Sequence, residues 1–207
     1  MPQRVAKLLG RGLVLLIAAA FALGTIDRNR EYRSSLTLAQ TTVDRYPTSV
    51  GRYVLAVQLL LNGRKDDALV QLRLALPGAP RAHYTLGVVL FHDSRWQEAV
   101  EQLQLFVEKQ PHLLQAVDAR LLMAQAFTKL ERWNDAITED QRVLRMNPST
   151  PQRVEALSNA AIAFIATNRM ALALPLFEQA ARIDPSNPVV QQNLANARVD
   201  ARASGPR

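Results

Sequence analysis

Three histidines, His83, His92 and His112, are the only imidazoles in a chain that has no cysteine. A metal centre built on them would need all three to converge with carboxylates at ligand distance. The helical pattern around them places His83 inside one helix, His92 in the turn that ends it and His112 in a later turn. Solvated or packed imidazoles explain that scatter better than a metal does. Without cysteine there is no thiolate ligand, no thiol nucleophile and no disulfide. The neighbours Asp66 and Asp67 could form an acid–base couple only in a pocket that drove their two pKa values apart. They follow Arg64-Lys65 at the start of a helical run, where acidic side chains favour the positive end of the helix dipole. Arg95-Trp96 and Arg132-Trp133 could grip a partner. Both pairs open a helix at the same point of a periodic pattern, so the rings are expected to cover a seam between helices with the arginines in water. The chain has no glycine-rich phosphate loop, no Gly-x-Ser-x-Gly and no His-Glu-x-x-His. No catalytic residue, metal or cofactor is expected.

The elements that would position any site repeat along the chain. Ala68, Ala99, Ala136 and Ala173 recur at intervals of 31, 37 and 37 residues. Twelve residues before each stands a small residue (Ala56, Gly87, Ala124, Ala161), and twelve after each a proline (Pro80, Pro111, Pro148, Pro185). Four before each stands an arginine: Arg64, Arg95, Arg132 and Arg169. A period of this length means paired helices stacked into a solenoid. The small residues let the two axes of a pair approach, and proline suits the exit because it has no N–H and cannot continue a helix.

This spacing resembles the tetratricopeptide repeat, or TPR. The resemblance implies an all-α fold, a TPR α-solenoid in which helical hairpins form a right-handed superhelix, here preceded by one N-terminal apolar helix. Four units are expected at residues 49–79, 80–116, 117–153 and 154–186. A partial leading unit (28–48) precedes them, and a capping helix with a tail (187–207) follows. In the leading unit a helix from Tyr32 to Tyr46 carries Ser35, Ala39 and Thr42 in phase; in the cap, Pro188 to Ala201 carries a stripe of Val190, Leu194 and Ala197. At position 24 of each unit stand Leu72, Leu103, Asp140 and Phe177. Asp140 departs from the pattern, which predicts a slightly rotated second helix in the third unit. The two long intervals predict first helices that start early in the third and fourth units.

The resemblance also implies a partner: a protein or peptide held in the groove formed by the first helices, at positions 2, 5, 9 and 12. In the first unit these include Tyr53, Val57 and Leu60; in the second, Arg81, Tyr84, Val88 and Phe91. The third supplies Asp118, Leu121 and Gln125, and the fourth Glu155, Ser158 and Ile162. Such a groove fits a hydrophobic segment with a basic flank near Asp118 and Glu155. Self-association, or cover by the chain's own N-terminal helix, is the other way to bury these apolar positions. The carboxylate clamp of chaperone-tail binders is excluded, because Tyr53, Val57, Thr85, Asp118 and Leu122 stand where its cationic and amide residues would be.

The formal charge is +7. The excess is terminal: residues 1–46 hold seven Lys/Arg against three Asp/Glu, and residues 198–207 hold three against one. A nucleic-acid surface would cluster the charge on one face of the fold, so nucleic acid is not an expected partner. Leu13 to Ile26 carries no charge, and extending it back to Leu8 makes 19 residues with Arg11 inside. That is close to the ~20 residues a membrane span needs. The same stretch also reads as a cleavable secretory signal with exits near Ala22 or Gly24. Residues 1–27 are therefore a membrane anchor or a signal segment, and in both readings the repeats lie outside the cytoplasm. The passage from Thr25 to Pro47 is similar to the junction between the last membrane helix and the TPR tail of TMTC-type O-mannosyltransferases. That likeness implies an accessory or detached tail of a membrane glycosyltransferase system and carries no catalytic residues over. The leading expectation is a non-catalytic, membrane-anchored TPR scaffold. The alternatives are that accessory tail, or a soluble exported TPR protein after signal cleavage.

Overall fold

The computed structural model describes residues 34–203, and every regular element among them is an α-helix. The anchor or signal segment at residues 1–27 lies outside the described residues. The described residues form two compact units, the first ending at Gly78 and the second beginning at Ala79.

The first unit holds α1 (Ser35–Arg45), α2 (Ser49–Leu61) and α3 (Lys65–Ala75). Ser34 caps α1 through the Thr37 N–H at 3.0 Å, and Thr48 caps α2 through the Gly51 N–H at 3.0 Å. The buried face of α1 is Ala39 and Val43. Ser35 and Thr42, expected in phase with Ala39, are exposed. The Thr42 hydroxyl donates to the Leu38 carbonyl at 2.7 Å, a bond that satisfies it outside the core.

The second unit holds α4 (Arg81–His92), α5 (Trp96–Lys109), α6 (Gln115–Lys129), α7 (Trp133–Arg145), α8 (Thr150–Ala166), α9 (Met170–Ile183) and α10 (Pro188–Ala203). Consecutive helices pack as hairpins, and α4 also meets α6, as α6 meets α8. The first helices thus form a row, which is the arrangement that makes a groove in a TPR solenoid. α8 starts a full turn before Val154, whereas α6 gains only half a turn before Val117. α10 closes the unit with Val190, Leu194 and Ala197 buried.

The alanines that set the period, Ala68, Ala99, Ala136 and Ala173, are all fully buried. At Gly87 the approach is closer still, since a Cβ there would lie 2.7 Å from Cγ of Leu103. Trp96 and Trp133 pack against the main apolar cluster of the second unit. Asp140 is 0% exposed, as are Ala136 and Val143 on the same stripe of α7. The expected rotation of that helix does not occur: its apolar neighbours hold the phase, and the carboxyl is buried in the slot that Leu72, Leu103 and Phe177 fill elsewhere.

Each hairpin turns at the same register position through a left-handed residue: Gly63, Ser94, Glu131 and Asn168, with φ of 73°, 58°, 57° and 58°. The arginine that follows donates its N–H to the carbonyl five residues back, at 2.9, 2.9, 2.8 and 2.8 Å in chain order. This bond closes the end of each first helix in the Schellman manner. The arginine side chains are not simply solvated. Arg132 pairs with Asp135 at 2.7 Å and lies over the Phe127 ring at 4.5 Å, and Arg169 lies over Phe164 at 4.7 Å.

Candidate partner-binding surface

In the first unit, Tyr53, Val57 and Leu60 of α2 are half-buried. Val50 and Val54 of the same helix are exposed, at 60% and 46%. Val54 lines an apolar cavity of about 270 Å³ with Leu38 and Ala39 of α1.

In the second unit the row begins on α4. Arg81 is exposed, while Tyr84, Val88 and Phe91 are half-buried. The Tyr84 ring sits 5.2 Å from Phe106 at 47°, and Phe91 meets His92 edge-on at 5.8 Å. On α6, Asp118 and Gln125 are half-buried, but Leu121 is only 4% exposed. A helical period leaves Leu121 and Leu122 both near the Asp118–Gln125 stripe, and Leu121 is drawn into a cluster with Val117, Val143 and Ala156. Leu121 therefore offers nothing to a partner. On α8, Glu155 and Ser158 are half-buried and Ile162 is 41% exposed.

Two open cavities lie along α8. One, of about 380 Å³, runs between α8 and the start of α10, lined by Glu155, Ser158, Asn159, Ile162 and Val189 among others. The other, about 260 Å³, is lined by Gln125, Thr128, Lys129, Asn159 and Ile162. Ser158 Oγ and Asn159 Nδ2 are buried without a hydrogen-bond partner.

Two glutamine amides hold the carboxylates. Gln125 Nε2 donates to Glu155 Oε1 at 2.6 Å, and Gln152 Nε2 donates to Asp118 Oδ1 at 2.6 Å. The Gln152 carbonyl meanwhile accepts from the Ser149 N–H at 2.9 Å and so caps α8. Burial raises Glu155 above the ordinary glutamate range, the Gln125 bond opposes that, and the Asp118 charge adds to it. Tyr84 is raised by burial and by Asp118. Asp140 is pushed up to about 9 by burial first, then by the charges of Glu155 and Glu139.

The sequence reading missed Gln152 and Asn159. Gln152 lies ahead of the first counted position of its unit, reached only because α8 starts a turn early. Asn159 sits beside Ser158 on the helix, off the counted stripe, and the packing of α6 and α10 on either side of α8 makes it a wall of both cavities. A third cavity, of about 420 Å³, is lined by residues of α5, α6 and α7. Its Glu139 is matched by Arg120 at 2.7 Å and by Arg142 at 2.5 Å, and its Arg132 by Asp135. His83 is buried with Nδ1 2.9 Å from Gln102 Oε1. No group of three or more His, Asp or Glu among the described residues could hold a metal.

Hairpins of this register, with small residues at the crossing and a row of first helices, define a TPR protein. The tetratricopeptide repeat profile matches residues 67–113 and 121–188, more than half of the chain, and the chain belongs to that family. No curated protein sequence matches it. Among solved structures it is similar to MamA from AMB-1, at 19% identity over 78% of this chain and 94% of that one, with a TM-score of 0.63. It is also similar to MamA 41-end from Desulfovibrio magneticus RS-1, at 16% identity over 74% and 85%, with a TM-score of 0.64. A third similar structure is YrrB, a TPR protein with an unusual peptide-binding site, at 17% identity over 84% and 87%, with a TM-score of 0.66. At these identities the likeness shows the fold alone.

Proposed function

We propose that this chain is a non-catalytic scaffold that holds an extended segment of a partner protein against its first helices, with residues 8–26 anchoring it in a membrane. The observation that carries the reading is the α4–α6–α8 row. There half-buried Tyr84, Val88 and Phe91 continue into Asp118, Gln125 and Glu155 and end on an exposed Ile162 beside two cavities. Apolar anchors next to polar groups, Ser158 Oγ and Asn159 Nδ2 among them without a partner, suit a peptide, which brings side chains and a backbone together. The peptide-binding site of YrrB, a protein of the same fold, supports this reading. The anchor rests on the uncharged run from Leu13 to Ile26, and the repeats then lie outside the cytoplasm.

Tyr84→Glu puts a charge at a half-buried anchor on the first helix of the row while leaving the helix intact. Quantitative affinity capture with the full-length chain should lose its specific partners, by about 30-fold or more for an aromatic anchor. Capture equal to that of the unchanged chain overturns the groove. Protease added to intact cells or spheroplasts should cut the repeats; protection places them in the cytoplasm.

A further inference from the structure

Asp118 and Glu155 hold the same register position on α6 and α8, and neither makes an ion pair among the described residues. They are close enough for the Asp118 charge to act on Glu155. Each is held by a glutamine amide, which can satisfy an oxygen but cannot cancel a charge. On α7, which packs on α8, Asp140 is 0% exposed with both carboxyl oxygens unpartnered, and Glu155 is the first of its charged neighbours. Arg120 and Arg142 pair with Glu139, and the other cations along the row, Arg81 on α4 and Lys129 at the end of α6, are exposed. One turn beyond Glu155, Ser158 Oγ is also unpartnered, at the wall of the 380 Å³ cavity. Two carboxylates on an open row, neither of them ion-paired among the described residues, make a site suited to a cation, and Asp140 beside them stays protonated and adds no charge. The acids are not placed to hold a metal ion.

We propose that Asp118 and Glu155 seat the cationic side chain, lysine or arginine, of the extended partner segment, with Ser158 accepting from its N–H groups. This rests on the groove reading above and adds the charge that the groove selects. The segment's apolar residues then lie toward Tyr84 and Phe91, and its basic residue lies between α6 and α8. A charge-assisted contact of this kind contributes about tenfold to a hundredfold in affinity.

The test uses the full-length chain and a phage-displayed library of random dodecapeptides. Selection on the unchanged chain should enrich lysine or arginine at one position beside apolar residues. Selection on Asp118→Asn/Glu155→Gln should keep the apolar preference and lose the basic one. A selected peptide whose basic residue is changed to glutamine should bind the unchanged chain about tenfold or more weakly by fluorescence anisotropy. That arm needs no protein variant, so it holds even if the double substitution impairs folding. Enrichment of apolar residues without a basic one overturns this proposal and leaves the groove standing. A basic preference that survives in a folded double variant also overturns it, because the cation then sits elsewhere. Failure to enrich any sequence overturns both.

Discussion

At position 140 a carboxyl fills the slot that a leucine or phenylalanine fills in the other three hairpins, and it does so with no hydrogen bond. A buried carboxyl avoids the cost of its charge by staying protonated, which is why burial and the acids Glu155 and Glu139 drive it from 3.8 to about 9. The sign for stability follows from proton counting. The folded chain keeps this proton between pH 3.8 and about 9, whereas the unfolded chain has released it. Stability from this group is therefore fully present below the unfolded value and is lost as pH rises through that window. The slope is at most about 1.4 kcal/mol per pH unit. Asp140→Asn keeps the shape and removes the titration. Its melting temperature should exceed that of the unchanged chain at pH 8, by roughly 1–3 kcal/mol of stability, and the gap should close toward pH 4. Melts in matched buffers check this, and a gap that stays constant with pH would show that folding does not raise the Asp140 pKa.

The helical hairpin is the element from which the described residues are built, and its crossing was legible while its turn was not. Alanine at the crossing and proline at the exit recur as residue types, so the period can be read from the chain. The turn recurs only as a backbone conformation, in which glycine, serine, glutamate and asparagine all serve. The stripe of first-helix positions was read in the same way, from periodicity. Leu121 was misplaced because a period of 3.6 cannot choose between two adjacent leucines, and the packing of α7 and α8 does. The amide pairs were hidden because they join residues 30 and 34 apart. The turn conformation has a measurable cost. A non-glycine residue in the left-handed region is disfavoured by about 1–2 kcal/mol, and Glu131 has no side-chain amide or hydroxyl to offset it as Asn168 and Ser94 do. Glu131→Gly should stabilise the chain by roughly 0.5–1 kcal/mol, and Gly63→Ala should destabilise it by a similar amount. Urea titration of both variants measures the two shifts. A loss on Glu131→Gly would mean that the unfolded chain's added freedom outweighs the relief of strain.

At the scale of the whole molecule, the TPR register accounts for the described residues, and the basic excess lies mostly toward the two ends of the chain. No helix among the described residues is long and apolar enough to cross a membrane, and the proposed anchor rests on the sequence of residues 8–26 alone. Between Leu8 and Ile26 stand ten Leu, Ile, Val and Phe residues. At about 0.3–0.6 kcal/mol each, they favour insertion by roughly 3–6 kcal/mol, and a charge at the centre costs about 2.5–3.5. Arg11 stands near one end of this run, and in the proposed span its charge costs less there than at the centre. One central charge should thus nearly cancel insertion, and two should abolish it. The unchanged chain should stay in the membrane pellet after alkaline carbonate extraction and keep Met1 to Gly24 by intact mass. Ile17→Arg/Phe21→Asp should move it to the supernatant with the repeats still folded by circular dichroism. A mature chain that starts after Ala22 or Gly24 would instead make residues 1–24 an export signal. The groove would then serve a soluble protein, and the charge argument at Asp118 and Glu155 would be unchanged.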